Sequence, residues 1–295
     1  MKKRILIYSL VCLGIVLSCS KDSDVTQDPD SVDKSANLLA TGASANDILS
    51  NTDFDKLLIE IAYVNGFRPT NSTMDNFEAF LRERTFKTDI EFTFKSLSSP
   101  NEEDLTLQEI ADLERDNRTA YNNGTTLAIY IYFANAPSDG DDEDEGLVTL
   151  GAVYRNTSMV IYESTIRDLA SRSNLISVTD VESSTLNHEF GHLFGLVNLG
   201  TTPVNDHEDT TTDDNGDEVG NNHCNVVGCL MRAELQFGAT NKNSSLTSKS
   251  GLHSACDLSG ISVMKLLEHQ ASKGLAAVPD LDAECILDLQ NNGGR

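Results

Sequence analysis

The feature that most constrains this chain is the segment 188–195, whose sequence is HEFGHLFG. It places His188 and His192 four residues apart, with Glu189 directly after the first histidine. On an α-helix, residues four apart lie about 40° apart around the axis, so both imidazoles can reach one metal ion. Glu189 then lies beside that ion, where a general base is needed. The segment therefore predicts a helix that carries two metal ligands and a base.

The residues around this segment predict a helix with one polar and one apolar side. Thr179 and Glu182 form a capping pattern, which places the start of the helix near Asp180. Gly195 can adopt a positive φ and end the helix with a sharp turn. Several apolar residues fall on the side away from the histidines, where they can pack against a sheet. They are Phe190, Leu193, Phe194 and Val197.

Further along the chain, a histidine and a methionine stand at an informative spacing. His223 and Met231 are eight residues apart in the string HCNVVGCLM. Together with HEFGHLFG, this string resembles the metzincin family of zinc peptidases. In that family H-E-x-x-H-x-x-G leads to a third histidine ligand and then to the methionine of the Met-turn. Asn198 occupies the family's usual third-ligand position, so the resemblance implies an insertion over residues 198–222.

The string is similar to those of two metzincin groups. Matrix metalloproteinases have small residues where the cysteines stand here, whereas archaemetzincins share the first two cysteines but carry a later C-x-x-C that this chain lacks. An insertion before the third histidine resembles that of leishmanolysin-like metzincins. The resemblance implies that His188, His192 and His223 bind one catalytic Zn²⁺. It also implies that Glu189 is the general base and that Met231 has a structural role.

The third zinc ligand has alternatives inside the insertion. His207 is close enough along the chain to swing back to the metal. Glu208 or Glu218 would supply a carboxylate ligand, as in gluzincins. The spacing to Met231 favours His223 over all of these.

The insertion is rich in acidic residues, with an asparagine and a glycine among them. Such a loop can bind Ca²⁺, but its glycine does not fall at the position that an EF-hand requires. A solvated loop is therefore the favoured interpretation, here and at residues 139–145. The acidic residues of the insertion are Asp206, Glu208, Asp209, Asp213, Asp214, Asp217 and Glu218.

The fold that this resemblance implies is an α/β (α+β) zincin catalytic domain of the metzincin type. It has a twisted mixed sheet, an active-site helix and a Met-turn. The implied activity is that of a zinc-dependent endopeptidase, which hydrolyses a protein or peptide substrate with a metal-activated water. The alternative is a catalytically inactive surface-binding lipoprotein with the same fold. Glu189 favours the enzyme, since a decayed enzyme has no reason to keep its base, and Asn198 favours the alternative.

Residues 1–18 have the pattern of a signal peptide. Three basic residues precede a thirteen-residue apolar run, which is too short to cross a bilayer as a helix. Residues 16–19 (VLSC) resemble the lipobox of bacterial lipoproteins, in which the cysteine is lipidated, and this implies a lipid anchor on Cys19. The charged residues that follow resemble the tag of outer-surface lipoproteins in Gram-negative bacteria. We therefore expect a surface-exposed lipoprotein of the outer membrane. An ordinary signal peptide is the alternative.

The rest of the chain divides into a tether and one domain. Residues 19–50 are polar and predict a flexible tether. Residues 51–295 predict the catalytic domain, and its part 51–88 carries two helical patterns, at 57–62 and 74–81. An inhibitory pro-segment is the alternative for that part. Strands are expected at 90–94, 127–133 (a central strand), 147–154 and 159–162, and further helices within 101–121, 164–173 and 261–267.

The charge of the chain excludes two kinds of partner. The whole chain has 22 basic and 46 acidic residues, a formal net charge of −24. Residues 1–18 hold three basic residues and no acidic one, so without them the balance is 19 against 46, or −27. A surface this acidic repels nucleic acid and anionic lipid. We expect a monomer held at the membrane only by its acyl chains.

Four cysteines remain after the signal peptide and the lipidation site are set aside. They are Cys224, Cys229, Cys256 and Cys285. An even number in an exported protein predicts two disulfides. Proximity along the chain favours the pairs Cys224–Cys229 and Cys256–Cys285 among the three possible pairings. A structural zinc held by the four cysteines is the alternative.

Overall fold

Five strands form a mixed sheet around the apolar run of residues 127–133. The computed structural model describes residues 32–142, 148–213, 215–232 and 260–295. The strands of the sheet are β1 (Lys56–Val64), β2 (Asp89–Leu97), β3 (Thr126–Phe133), β4 (Gly151–Arg155) and β5 (Ser158–Ile161). Their order is β2-β1-β3-β5-β4, with β4 antiparallel at one edge and the other pairs parallel. The predicted mixed α/β class and the central position of residues 127–133 are confirmed.

Helices cover both faces of this sheet. The helices are α1 (Ala45–Leu49), α2 (Asn71–Arg84), α3 (Leu107–Asn117), α4 (Glu163–Ser171), α5 (Val178–Leu193), α6 (Gly260–Ser272) and α7 (Ala283–Asn291). The larger core joins one face of β1 and β3 to α2, α4 and α5. The smaller core joins the opposite face to α3. Because both faces are covered, β3 is buried along nearly its whole length and contains few polar residues.

The helix predicted at residues 57–62 is wrong, because this segment is strand β1. A short apolar run fits a helix face and a doubly buried strand equally well. β1 lies between β2 and β3 and pairs with both in parallel, and its side chains enter the cores on both faces of the sheet. The second helical pattern, at 74–81, is confirmed as part of α2.

The flexible tether predicted at 19–50 is wrong for its second part. Residues 32–50 pack against the domain and include α1. Asn37 is buried, and its side-chain amide donates a hydrogen bond of 3.0 Å to the carbonyl oxygen of Ala128. Two apolar side chains of α1 join the larger core, Ile48 and Leu49. The polar composition of this segment suggested a tether, but its Asn37 is polar because it satisfies a backbone carbonyl group of β3.

Other predicted elements exist with shifted ends. The helices expected within 101–121, 164–173 and 261–267 are α3, α4 and α6, and the strands expected at 90–94, 147–154 and 159–162 are β2, β4 and β5. Among the described residues, no helix combines the length and the apolar character needed to cross a membrane. The predicted signal peptide, Cys19 and Cys256 lie outside the described residues.

The cap predicted for the motif helix is also wrong. Ser177 and Asp180 form the capping box of α5, and the helix begins at Val178. Glu182 instead accepts a hydrogen bond of 3.1 Å from the backbone N–H of Thr70. This carboxylate therefore attaches α5 to the start of α2, six residues before His188.

Candidate metal centre

Helix α5 carries the first two histidines in a buried position. Every residue from Val181 to Leu193 is buried, because α5 packs against the sheet and is flanked by α2 and α4. On the core side, the ring of Phe190 packs edge-on against that of Phe77, with centroids 5.1 Å apart. On the other side, Nε2 of His188 and Nε2 of His192 are 3.2 Å apart. The sequence thus buries one side of the helix and leaves two imidazoles meeting on the other.

His223, at the end of a second strand pair, completes a group of three imidazoles. Its ring centroid lies 5.4 Å from that of His188 and 5.3 Å from that of His192. One nitrogen from each of the three residues lies within 4.8 Å of the other two. Tetrahedral Zn–N bonds of about 2.0–2.1 Å place two ligand nitrogens about 3.3–3.4 Å apart. The spacing on α5 therefore fits a zinc ion.

Backbone carbonyl groups orient two of these rings. Nδ1 of His188 donates to the carbonyl oxygen of Leu230 at 2.7 Å. Nδ1 of His223 donates to the carbonyl oxygen of Asn221, also at 2.7 Å. A hydrogen bond at Nδ1 fixes the tautomer whose Nε2 carries the lone pair. Nε2 is then the metal-binding atom of both rings.

The surroundings keep all three imidazoles neutral. Burial, with the neighbouring His223, lowers the pKa of His188 to about 3. Burial also lowers the pKa of His223 to about 4. For His192, burial and the two other imidazoles hold the pKa well below its ordinary value. Neutral imidazole is the form that binds metal, so the centre needs no deprotonation near neutral pH.

Glu189 lies between α5 and the edge strand β4. Its side chain is fully buried. A Cβ on Gly151, the first residue of β4, would come within 2.8 Å of Cγ of Glu189. The backbone of β4 therefore packs directly against Glu189, the general base expected from the sequence.

Met231 packs against α5 between the two histidines of the helix. It is fully buried, and a Cβ on Gly191 would overlap with its Sδ. The carbonyl oxygen of Met231 accepts a hydrogen bond of 2.8 Å from the backbone N–H of Cys224. Met231 thus contacts both the helix and the segment that carries His223.

This packing predicts that Gly191→Ala destabilises the fold. We expect the free energy of unfolding to fall by about 1–3 kcal/mol from overpacking, although alanine favours a helix by about 1 kcal/mol over glycine. Denaturant unfolding measures the change. A Gly191→Ala/Met231→Ala double variant is the control, since it should lose less stability than the sum of the two single changes. A stabilised Gly191→Ala variant would contradict this contact.

The chain turns sharply after α5, as predicted at Gly195. Gly195 has a φ of 71°, and Val197 and Asn198 also have positive φ, at 54° and 65°. The side-chain amide of Asn198 donates to the carboxylate of Glu208. Asn198 is therefore part of the turn and does not join the three histidines.

The insertion predicted at 198–222 forms most of a hairpin, which ends at Cys224 and was not predicted from the sequence. Its strands are β6 (Glu208–Thr212) and β7 (Glu218–Cys224), which pair antiparallel. At the turn, Oδ1 of Asp213 accepts hydrogen bonds from the backbone N–H groups of Asn215 and Asp217, at 2.9 and 2.8 Å. The pair Asn215–Gly216 was the signal that could have indicated a hairpin. Calcium binding by these acidic residues stays a prediction.

None of the alternative third ligands joins the histidine group. His207 points elsewhere, since its Nε2 donates to Oδ2 of Asp288 at 2.8 Å. Glu208 accepts from Asn198 and from the backbone N–H of Asn222, and Glu218 is exposed. Within the described part of the chain, the candidate metal group around α5 is His188, His192 and His223.

The predicted disulfide Cys224–Cys229 is wrong, whereas the predicted pair Cys256–Cys285 stays a prediction. Cys224, Cys229 and Cys285 are buried free thiols, and Sγ of Cys229 lies 3.6 Å from Sγ of Cys285. Proximity along the chain did not predict which cysteines are close in space, because α7 packs against the segment before Met231. Cys256, the other predicted partner, lies outside the described residues.

No protein-family model matches this chain. No curated protein matches it either. A search of solved structures finds the crystal structure of an archaemetzincin from Methanopyrus kandleri, at 15% sequence identity and a TM-score of 0.43. The similarity covers 81% of this chain and 95% of that chain.

Proposed function

We propose that this chain is a zinc-dependent endopeptidase whose metal is held by His188, His192 and His223. The observation that carries the proposal is the meeting of three buried, neutral imidazoles, with the buried Glu189 directly after the first of them on the same helix. Three nitrogen ligands leave a tetrahedral ion one open position, which is the composition of catalytic zinc sites. When bound, zinc would polarise a carbonyl group and lower the pKa of a water molecule to about 7.

Glu189 performs the proton transfers in this proposal. Its carboxylate accepts a proton from the attacking water and then donates that proton to the leaving amine. The carbonyl groups of Leu230 and Asn221 hold the two imidazoles in the required tautomer. Burial of the site excludes bulk water from the carboxylate, which strengthens each of these interactions.

The edge strand β4 supports a peptide as the substrate. Among the described strands, β4 pairs with β5 alone, so its outer edge has no strand partner there. An extended peptide can add to such an edge through backbone hydrogen bonds. Because Gly151 of β4 lies against Glu189, a peptide bound there would pass close to the base. A substrate without a peptide backbone would not use this edge.

The inactive surface-binding alternative depended on Asn198 at the usual third-ligand position. The hydrogen bond from Asn198 to Glu208, together with the position of His223, supports a displaced third ligand rather than a lost one. We also propose that Cys19 carries the lipid anchor of an exported, outer-membrane lipoprotein. Mass spectrometry of the membrane-extracted protein tests that modification.

Zinc removal tests the proposed activity directly. We expect the purified protein to hydrolyse unfolded casein, a strong chelator to abolish the activity, and added zinc to restore it. A His192→Ala variant should lose about one zinc ion per chain and all activity, because a three-ligand site does not hold zinc with two ligands. His269→Ala, at an exposed histidine of α6, is the matched control and should keep both. Zinc-loaded wild type without any hydrolysis of unfolded proteins would contradict the proposal.

A further inference from the structure

Three cysteines and a histidine meet in a second buried cluster, separate from the three-histidine centre. Cys224 ends β7, Cys229 lies just before Met231, Cys285 lies in the first turn of α7, and His207 precedes β6. All four residues are buried. The thiol of Cys229 contacts those of both Cys224 and Cys285. Donor atoms from three distant segments therefore share one small space.

The separations in this cluster match a metal site better than a disulfide. Sγ of Cys229 and Sγ of Cys285 are 3.6 Å apart, and Nδ1 of His207 and Sγ of Cys224 are 3.3 Å apart. A disulfide bond would require about 2.05 Å between two sulfur atoms. Tetrahedral zinc, with Zn–S of about 2.3 Å and Zn–N of about 2.0–2.1 Å, places sulfurs about 3.7 Å apart and nitrogen about 3.5 Å from sulfur. Both measured distances are close to these values.

The histidine of the cluster has the outer partner that a metal-bound histidine needs. Nε2 of His207 donates to Oδ2 of Asp288 at 2.8 Å, and Asp288 is fully buried. Oδ1 of Asp288 accepts a hydrogen bond of 2.6 Å from the backbone N–H of Val204, which fixes the carboxylate. A histidine that binds metal through one nitrogen usually donates its other N–H to a carboxylate or a carbonyl. Nδ1 of His207 is thereby presented to the cysteines.

We propose that Cys224, Cys229, Cys285 and His207 bind a second, structural zinc ion. Four protein ligands close the tetrahedron, so this ion has no open position for a water or a substrate. Three thiolates with one imidazole suit zinc rather than calcium or magnesium, which prefer oxygen ligands. This site stands whether or not the chain hydrolyses peptides.

Asp282 is a fifth donor, and its carboxylate lies within 4.8 Å of donor atoms of His207, Cys224 and Cys285, a group that Cys229 joins only through its contacts with the other two thiols. One of its oxygens, Oδ2, lies 3.3 Å from Sγ of Cys224. Its other oxygen, Oδ1, accepts a hydrogen bond of 2.8 Å from the backbone N–H of Cys285 and so caps α7. Asp282 is also less buried than the three cysteines. We assign it to the cap and to the outer shell of the zinc site.

The second site would connect α7 to the segment that carries the third histidine. Cys224 directly follows His223, and Cys229 lies two residues before Met231. Cys285 is the only one of the three cysteines that lies on α7. A metal bound by all three would hold both ends of the segment 223–231 against that helix. This would keep His223 in place opposite α5.

Metal content and thiol chemistry of the wild type test the site without any mutation. We expect about two zinc ions per chain, one of which is released as a mercurial reagent modifies the thiols. Cobalt(II)-loaded protein should show the near-ultraviolet charge-transfer absorption of thiolate–cobalt bonds, which three histidines cannot produce. One zinc ion per chain, with a Cys229–Cys285 disulfide found by non-reducing peptide mapping, would overturn the proposal.

Variants then test the ligands one by one. Cys285→Ser and Cys229→Ser should each lose the thiolate–cobalt absorption and about one zinc ion. Cys256→Ser is the matched control and should keep both, as should Asp282→Asn. Loss of the metal in Asp282→Asn together with its retention in Cys229→Ser would overturn the ligand set. If a cysteine variant fails to fold, the wild-type zinc release and cobalt spectrum still decide whether the site exists.

Discussion

A Glu189→Gln variant should hydrolyse unfolded casein about 10²–10⁴-fold more slowly than wild type, which is the usual contribution of a general base. Glutamine keeps the size of the side chain but cannot accept the proton of the attacking water. The packing of Gly151 against this side chain should be preserved, because the Cγ that it contacts is unchanged. The measurement is kcat/KM on a fluorescent casein, beside zinc analysis of the same samples. Zinc content should not change, because Glu189 is not one of the proposed ligands.

Glu182→Gln is the matched control for this prediction. Glu182 is a fully buried glutamate of the same helix, and its carboxylate contacts α2 rather than the histidines. We expect Glu182→Gln to lower the free energy of unfolding but to leave kcat/KM of the folded protein near the wild-type value. If Glu189→Gln retained full activity, Glu189 would not be the base. If it lost activity only in step with its zinc, its role would be to support the metal.

A His223→Ala variant should lose zinc from the histidine centre and, with it, all hydrolysis. Removing only an outer-shell partner of a zinc ligand typically costs about 10–100-fold in metal affinity. Loss of a ligand itself should therefore raise the Kd by more than about 100-fold. Titration of the metal-free protein with zinc, followed by casein hydrolysis at each concentration, measures both effects.

His207→Ala separates the two histidines that the sequence offered as third ligand. Its imidazole contacts Cys224 and Asp288, so its removal should leave activity recoverable at saturating zinc. His223→Ala should show no such recovery. The opposite outcome, with His207→Ala inactive at every zinc concentration and His223→Ala active, would show that the third ligand has been misassigned.

The sequence predicted those parts of the fold whose pattern has a single physical explanation. The run 127–133 is too apolar and too rich in strand formers for anything but a buried strand, and it is β3. Residues 57–62 are equally apolar but short, and nothing local separates a helix from the doubly buried strand that they form. At the start of α5, two overlapping capping patterns compete, and the contact of Glu182 with Thr70 decides between them. That contact joins residues far apart in sequence.

The candidate site shows the same division. His188 and His192 could be paired from their spacing, since one helix sets it. His223 could be proposed only through the resemblance and its spacing to Met231. The positions of His207 and Cys285 could not be predicted, because both depend on the packing of α7 against residues 223–231 and 207. No local pattern encodes a contact between Cys229 and a residue 56 positions away.

The hairpin between the second and third histidines has a consequence for how the chain can vary. A metal bound by His192 and His223 would close a loop made of residues 193–222, and loop-closure entropy grows only slowly with loop length. Doubling the number of residues between two fixed points costs only about 0.6 kcal/mol. The tip of the β6–β7 hairpin is exposed and contributes no proposed ligand. Mutation can therefore lengthen, shorten or recharge this tip at little thermodynamic cost, which makes it a site for evolutionary divergence beside an unchanged metal centre.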